Sequence, residues 1–240
     1  MKIAEVKDPH KYLRTALFNN CELDVQLIGK TEIRDESGAA FSSDRIPGFV
    51  ARMSHGSEGT EDADIRLTKN LLKMSPMPHD TPFEFMQWIF KITGVTKSCL
   101  TQFDRHRIGA GFVQMSSRYM DKSNSGFVYN TYDYASENDV KDLYAADAAF
   151  NSLALEQYNQ RRSAGATKQD ARKLLPVSMA TGTFVYLNSR SIRHFFKLRL
   201  DSHAEWEIRR MAKAMWDIVY AIAPAHFSDL VEEELKAGVV

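Results

Sequence analysis

Apolar and polar positions alternate most cleanly at Met86, Trp88, Phe90 and Ile92, which are spaced by Gln87, Ile89 and Lys91. A period of two sends those four side chains to one face, and the stretch predicts a strand ending at Gly94. Two weaker extended runs precede it, residues 1–6 and 23–28. The second is closed by Gly29, and the whole region 1–45 reads as strands and turns. Helical spacing recurs over 61–75, where Thr60 is the N-cap, acids fill the first turn, and Ala63, Leu67, Leu71 and Met74 share a face. Residues 96–105 predict a further helix. After a loop carrying Gly109 and Gly111, a short extended piece is expected at 116–119. Ser136-Glu137-Asn138-Asp139 is a capping pattern that opens a helix with Val140, Leu143, Phe150 and Leu153 turned inward. Thr167-Lys168-Gln169-Asp170 opens another, which reaches Pro176. Residues 183–187 read either as a short strand or as the approach to the next helix, 188–200. Ser202-His203-Ala204-Glu205 caps the last helix, which ends before Pro224 and carries a core stripe of Ile208, Met211, Met215, Ile218 and Ile222.

Strands and helices mix without a βαβ rhythm, which predicts an α+β fold rather than a doubly wound sheet. No linker is visible, so residues 1–240 are expected to form a single domain. The 31 Lys+Arg balance 31 Asp+Glu, and 44% of residues are hydrophobic. That composition fits a globular chain and argues against disorder and against a general nucleic-acid binder. The apolar run 218–223 falls far short of the ~18 residues of a membrane span, and the N-terminus lacks the apolar stretch of a signal peptide. Neither a membrane partner nor export is expected. Cys21 and Cys99 stand far apart with no CxxC pairing. A disulfide framework or a Cys-based zinc site is therefore not expected, and a reducing cytoplasm is the natural compartment.

Candidate chemistry sits in four places. Arg105-His106-Arg107 sets three cationic or potentially cationic groups side by side, an arrangement that repels itself unless an anion joins it. Ile108-Gly109-Ala110-Gly111 follows, and its missing side chains let a ligand near the backbone, so the run looks like an anion or phosphate site. Taken alone, a solvated basic turn explains it as well. Neither a P-loop nor a Gly-rich dinucleotide fingerprint is present. Ser116-Ser117-Arg118-Tyr119 is close enough to line the same pocket, with Arg118 able to grip a phosphate through two nitrogens. In the helix at 188–200, about 100° per residue stacks Arg190 and His194 on one face and returns Asn188 and Arg199 to another. Phe195 and Leu198 lie between them. Two polar stripes flanking an apolar one suit a wall between two ligand sites, while Arg193 and Lys197 read as a solvated basic face. Last, His79-Asp80-Thr81-Pro82-Phe83-Glu84 presents a His and a Thr beside a rigid Pro.

Together and in this order, these pieces resemble the flavin-dependent thymidylate synthases, the ThyX family. That family carries an H-x-[ST]-P-F-E-H stretch, then Q-x-x-R-H-R, a short loop and S-x-R-Y. An arginine before a Leu-Pro follows, then N-x-R-S and L-R-x-x-x-H-A-x-W-E-I. The first matches are His79 to Glu84, Gln102-Phe103-Asp104-Arg105-His106-Arg107 and Ser116-Ser117-Arg118-Tyr119. Arg172 ahead of Leu174-Leu175-Pro176, Asn188-Ser189-Arg190-Ser191, and Leu198-Arg199 leading to His203-Ala204-Glu205-Trp206-Glu207-Ile208 complete them, over roughly residues 47–225.

The resemblance implies a ThyX-like α+β fold, a mixed or antiparallel sheet with helices packed around it, in a homotetramer with sites between subunits. It implies conversion of dUMP to dTMP, with methylenetetrahydrofolate giving the one-carbon unit to C5 and NADPH-reduced FAD giving hydride. By position it implies that Thr81, Arg105, His106, Arg107, Gln114, Asn188, Arg190 and His194 hold FAD. Gln102, Phe103, Asp104, Arg105, Gln114, Ser116, Ser117, Arg118, Arg172 and Arg199 would hold the nucleotide. Arg199 takes the place of the catalytic arginine that favours ionised pyrimidine N3. A guanidinium fixed beside the ring stabilises that charge and enriches C5, an effect often worth about a few kcal/mol.

The chain departs from the pattern at four points. Eight residues separate Arg107 from Ser116 where the common pattern has seven, so the register of the loop 108–115 is open and the reading is anchored on Ser-x-Arg-Tyr. Gln114 stands where many members have Glu, Asp104 where an apolar or aromatic residue is usual, and Phe85 in place of the second His. A carboxylate of Asp104 facing the ring would accept from an exocyclic amino group and favour cytosine. Alternatively the one-carbon unit leaves as hydroxymethyl without hydride. An outward Asp104 capping a helix turn is the plainer version. Cys99, whose close basic neighbour is Lys97, reads as a small buried residue rather than a covalent nucleophile.

Overall fold

The structure, a computed structural model, describes residues 21–74 and 77–231. The expected strand at 1–6 lies outside them. The described strands form one antiparallel sheet: β1 (Asp24–Lys30), β2 (Gln87–Thr96), β3 (Ala110–Gln114) and β4 (Ala180–Asn188), in the order β1-β2-β4-β3. In β2 the period-two pattern holds, since Trp88, Phe90 and Ile92 are wholly buried while Gln87 and Ile89 are exposed. The strand runs past Gly94, where φ is 74° and the pairing with β4 slips between Thr93 and Val95. A Cβ there would lie 1.8 Å from the Glu22 carbonyl oxygen, so the glycine is a bulge that lets the chain leading into β1 pass close by. Gly29 likewise lies inside β1, at a second register shift, and does not close it.

Residues 183–187 belong to β4, the strand between β2 and β3. β3 has no signature of its own. It is short and begins Ala110-Gly111, and it becomes a strand by pairing with β4. Across that pair the Tyr186 ring covers Gly111, at which a Cβ would stand 2.4 Å from Tyr186 Cε1. The expected extended piece at 116–119 is a turn, with the amides of Tyr119 and Met120 donating to the Ser116 carbonyl at 3.2 and 3.0 Å.

The helices are α1 (Ile46–Arg52), α2 (Glu61–Leu72), α3 (Lys97–Phe103), α4 (Glu137–Ser163), α5 (Lys168–Ala171), α6 (Ser189–Arg199) and α7 (Trp206–Ile222). α3, α6 and α7 cover one face of the sheet, and the main core lies between them, with Phe90, Val185, Leu100, Phe196 and Met211 in it. On the other face Ile89, Val113, Phe184 and Tyr186 are exposed. In α4 the buried stripe is Val140, Tyr144, Ala148, Asn151, Ala154 and Tyr158. Phe150 and Leu153, expected inside, are exposed, because the helical spacing from Val140 through Tyr144 and Ala148 puts Phe150 at about a right angle to the buried stripe and Leu153 nearly opposite it. α2 buries Asp64, Thr68, Leu71 and Leu72, and Met74 lies beyond its end. The N-cap of α7 is Glu205, whose side chain accepts from the Ile208 amide. No described helix is long and apolar enough to cross a membrane.

Candidate active site

Helix α3, which leads into Arg105-His106-Arg107, is fixed at both ends by buried groups. Thr96 leaves β2 and caps α3, its hydroxyl accepting from the Cys99 amide at 2.9 Å. Glu207, at the start of α7, accepts from the Thr96 amide and hydroxyl at 2.6 Å each. Burial raises the pKa of this carboxyl, and the two hydrogen bonds oppose the rise. At the other end of α3 the Phe103 ring is wholly buried against Phe112 and Phe195. That ring serves the core, so the nucleotide contact expected of Phe103 has no side chain to make it.

Beyond Phe103 the chain emerges as Arg105, His106 and Arg107, with both arginines exposed. His106 meets Phe195 edge-on at 5.1 Å and lies 6.1 Å from the His194 ring. Its Nε2 is 3.2 Å from Arg199 Nε. A guanidinium only donates, so Nε2 accepts and the His106 proton sits on Nδ1. Burial, then the Arg199 cation, then His194 lower the His106 pKa to about 4, leaving a neutral ring that still has a donor. The two stripes of α6 read from the sequence therefore meet at His106.

The glycine loop is sewn to the start of α6. Asn188 caps that helix by accepting from the Ser191 amide at 2.8 Å, its own amide donates to the Gly109 carbonyl at 2.9 Å, and the Ser191 hydroxyl donates to the Ile108 carbonyl. Gly109 has φ 63°, and a Cβ on it would stand 2.2 Å from Asn188 Nδ2. The room left by Gly109 and Gly111 is thus filled by Asn188 and Tyr186 of the same chain, rather than kept for a ligand.

Arg190 pairs with Asp80 at 3.1 Å and Glu84 at 2.6 Å, which joins α6 to the short helical turn Thr81–Phe85 and raises the pKa of the arginine. Thr81 is exposed beside this pair. Arg193 is not part of a solvated face. It is buried, binds the Asp229 carboxylate through two nitrogens at 2.8 and 2.6 Å, and donates to the His226 carbonyl. Leu198, expected to pack, is 48% exposed, whereas Phe196 is buried. Under the start of α6, Trp88 Nε1 donates to Ser189 Oγ at 2.8 Å, and that hydroxyl lies 3.0 Å from His226 Nδ1. His226 Nε2 is 2.9 Å from the Ser43 carbonyl. A carbonyl only accepts, so Nε2 carries the proton and Nδ1 accepts from Ser189. Burial lowers the His226 pKa to about 3.

Nearer β3, Lys97 Nζ donates to Gln114 Oε1 at 2.6 Å, and Gln114 Nε2 donates to Asp104 Oδ2 at 3.1 Å. Arg172 donates to the Ser117 hydroxyl at 3.4 Å, the Ser116 hydroxyl accepts from the Arg118 amide at 3.3 Å, and the Arg118 guanidinium lies 5.4 Å from the centre of the Tyr119 ring. Lys168 Nζ donates to the Tyr119 carbonyl at 2.8 Å. Gln102 is half-buried on α3. By donor type the set fits a flavin nucleotide and a nucleoside monophosphate. Guanidiniums at Arg105, Arg107, Arg118 and Arg172 suit phosphate, and a neutral imidazole beside a cation suits a heteroaromatic ring. Cys99 is wholly buried, and burial with the nearby Glu207 and Glu205 carboxylates holds its thiol far above the usual range. It offers no thiolate.

Sequence reasoning missed Lys97, Lys168, Glu207 and His226 as supports. Glu207 stood inside a quoted motif, where its acid type was a usable signal. The others are joined to the site by strand pairing or chain crossing, which no local spacing reports.

The thymidylate synthase complementing protein family matches residues 39–225. Among curated relatives, a flavin-dependent thymidylate synthase of Nitratidesulfovibrio vulgaris is 32% identical over 79% of this chain and 79% of its own. One of Geobacter sulfurreducens is 30% identical over 75% and 79%. One of Halobacterium salinarum is 26% identical over 93% and 97%. The chain belongs to the thymidylate synthase complementing protein family, that of the flavin-dependent thymidylate synthases.

Proposed function

We propose that this protein is a flavin-dependent thymidylate synthase that converts dUMP to dTMP, using methylenetetrahydrofolate as the one-carbon donor, FAD as cofactor and NADPH as reductant. The observation that carries the reading is the family match over residues 39–225, which takes in every motif quoted above. The relatives favour this reaction over modification of dCMP or release of a hydroxymethyl product. Reduced FAD supplies the hydride that completes the methyl group.

The chain's own residues do the rest. Arg105, Arg107, His194 and the neutral His106 hold the flavin nucleotide, with Thr81, Asn188 and Arg190 shaping its border and Gln114 at the boundary with the nucleotide. Arg118, Arg172, Ser116 and Ser117 take the dUMP phosphate, which carries nearly two charges and needs more than one cation. Gln102, Asp104 and backbone at Phe103 flank the base. Arg199 stays protonated, so it acts by electrostatics beside N3 and moves no proton itself. Two features support this assignment: the Arg199–His106 contact, and the Arg172–Ser117 bond across chain-distant segments.

The residues 1–240 act as one domain, in a cytoplasmic homotetramer with sites shared between subunits. The exposed apolar sheet face of Ile89, Val113, Phe184 and Tyr186 supports assembly, since a patch of that kind next to a site is a contact surface in want of a partner. The test is direct: purified protein with FAD, NADPH, methylenetetrahydrofolate and either dUMP or dCMP, with products weighed. A product of dTMP's mass from dUMP is expected. Unchanged dUMP alongside modified dCMP would overturn the assignment.

A further inference from the structure

Two side chains that looked like separate departures from the family pattern, Asp104 and Gln114, are hydrogen-bonded to each other at 3.1 Å. Gln114 is also held by Lys97 at 2.6 Å. The three come from different elements: Lys97 opens α3, Asp104 follows its end, and Gln114 closes β3, opposite Thr183 of β4. An ammonium only donates and a carboxylate only accepts, so the amide between them has one orientation, carbonyl toward Lys97 and NH2 toward Asp104. Both bonds are charge-assisted. Asp104 Oδ1 has no hydrogen bond among the described residues, which leaves it to accept an N–H or O–H from a bound nucleotide.

We propose that Lys97, Gln114 and Asp104 form one relay, in which Asp104 brings a carboxylate to the nucleotide pocket while Gln114 and Lys97 hold it in place. Lys97 is a positioning residue outside the set implied by the resemblance. The inference rests on the reading of this site as a nucleotide pocket. A glutamate at position 114 would face the Asp104 carboxylate at hydrogen-bond distance, and two such groups repel unless they share a proton. With an acid at 104, an amide at 114 is the side chain that satisfies both neighbours. In this pairing the negative charge sits on Asp104, one hydrogen bond away from Gln114.

The relay is tested by a double-mutant cycle of Gln114→Glu and Asp104→Asn. Two readouts are taken: KM for dUMP in dTMP formation, and Kd for dUMP from its perturbation of the bound flavin absorbance. Each single change is expected to weaken dUMP roughly tenfold. The Gln114→Glu penalty should shrink as pH falls, because the facing carboxyls take up a shared proton. In the double exchange the new carboxylate accepts from both Lys97 and the new amide, which turns the carbonyl oxygen at 104 toward the nucleotide as its acceptor, and KM should return to within about threefold of the parent. Lys97→Met should raise KM with kcat little changed, and Lys97→Arg should restore most of the loss. A double variant no better than the worse single, or a Gln114→Glu penalty indifferent to pH, overturns the relay. Parent protein that binds flavin and dUMP but makes no dTMP defeats the functional reading instead, and the Kd cycle then still decides the relay.

Discussion

Arg199 uses its Nε to fix the tautomer of His106, and its terminal nitrogens have no hydrogen-bond partner among the described residues. One side chain is thus shared between the group proposed to touch flavin and the space proposed for the pyrimidine. Arg199→Ala should lower kcat by roughly a hundredfold or more, the scale of losing one preorganised electrostatic partner, while flavin absorbance stays with the protein. Flavin lost on that substitution would undo the division of roles along α6. Arg190→Ala and His194→Ala should do the reverse and release flavin. For Arg190 the loss has a second cause, because Asp80 and Glu84 lose the cation that ties the Thr81–Phe85 turn to α6. His194 carries no such structural duty, so the two variants together separate ligand contact from scaffold.

Among the elements, α3 is the one most exposed to a single change. It is short, and its first turn is secured by Thr96 and by the Glu207 carboxylate from α7. Glu207→Ala leaves the Thr96 amide buried without its partner, which costs about 1–3 kcal/mol and should show as a lower denaturant midpoint. Glu207→Gln keeps a carbonyl oxygen for that amide and offers an N–H to the hydroxyl, so it should lose much less. Equal losses for the two would mean that the cap is not what Glu207 provides. The glycine loop is the second weak point. Gly109→Ala forces a left-handed φ on a residue that resists it and drives a methyl into Asn188, so it should disturb the α6 cap and flavin retention together.

For the whole molecule, two histidines held neutral contribute to the response to acid. The pKa values, about 4 for His106 and about 3 for His226, lie below the ordinary one, so the unfolded chain binds protons that the native state refuses. Their contribution to stability is complete above about pH 6.5 and is lost as pH falls, levelling near 4 for His106 and near 3 for His226. A fully refused proton is worth about 1.4 kcal/mol per pH unit. His106, which meets solvent, contributes less. His226→Gln retains a donor for Ser43 and an acceptor for Ser189, and should remove about one proton from the slope of stability against pH between roughly 6 and 4.5. An unchanged slope would mean that His226 titrates normally. Assembly has its own test: Val113 and Phe184 are cross-strand neighbours on the open sheet face, and Phe184→Lys should split the proposed tetramer in light scattering. A monomeric parent protein would end that proposal.

What the sequence determined by itself was local. The period of two in β2 chose its buried face, the caps at Thr60, Ser136 and Thr167 set helix starts, and the motifs assigned the family. Each of these is written in residues a few positions apart. The tertiary structure alone decided that 110–114 is a strand, that Arg193 is buried against Asp229, that Arg199 lies on His106, and that Lys97 reaches Gln114. Those facts depend on which distant segments lie side by side. Sheet pairing and helix packing fix that through contacts between residues far apart in the chain, where local spacing carries no information.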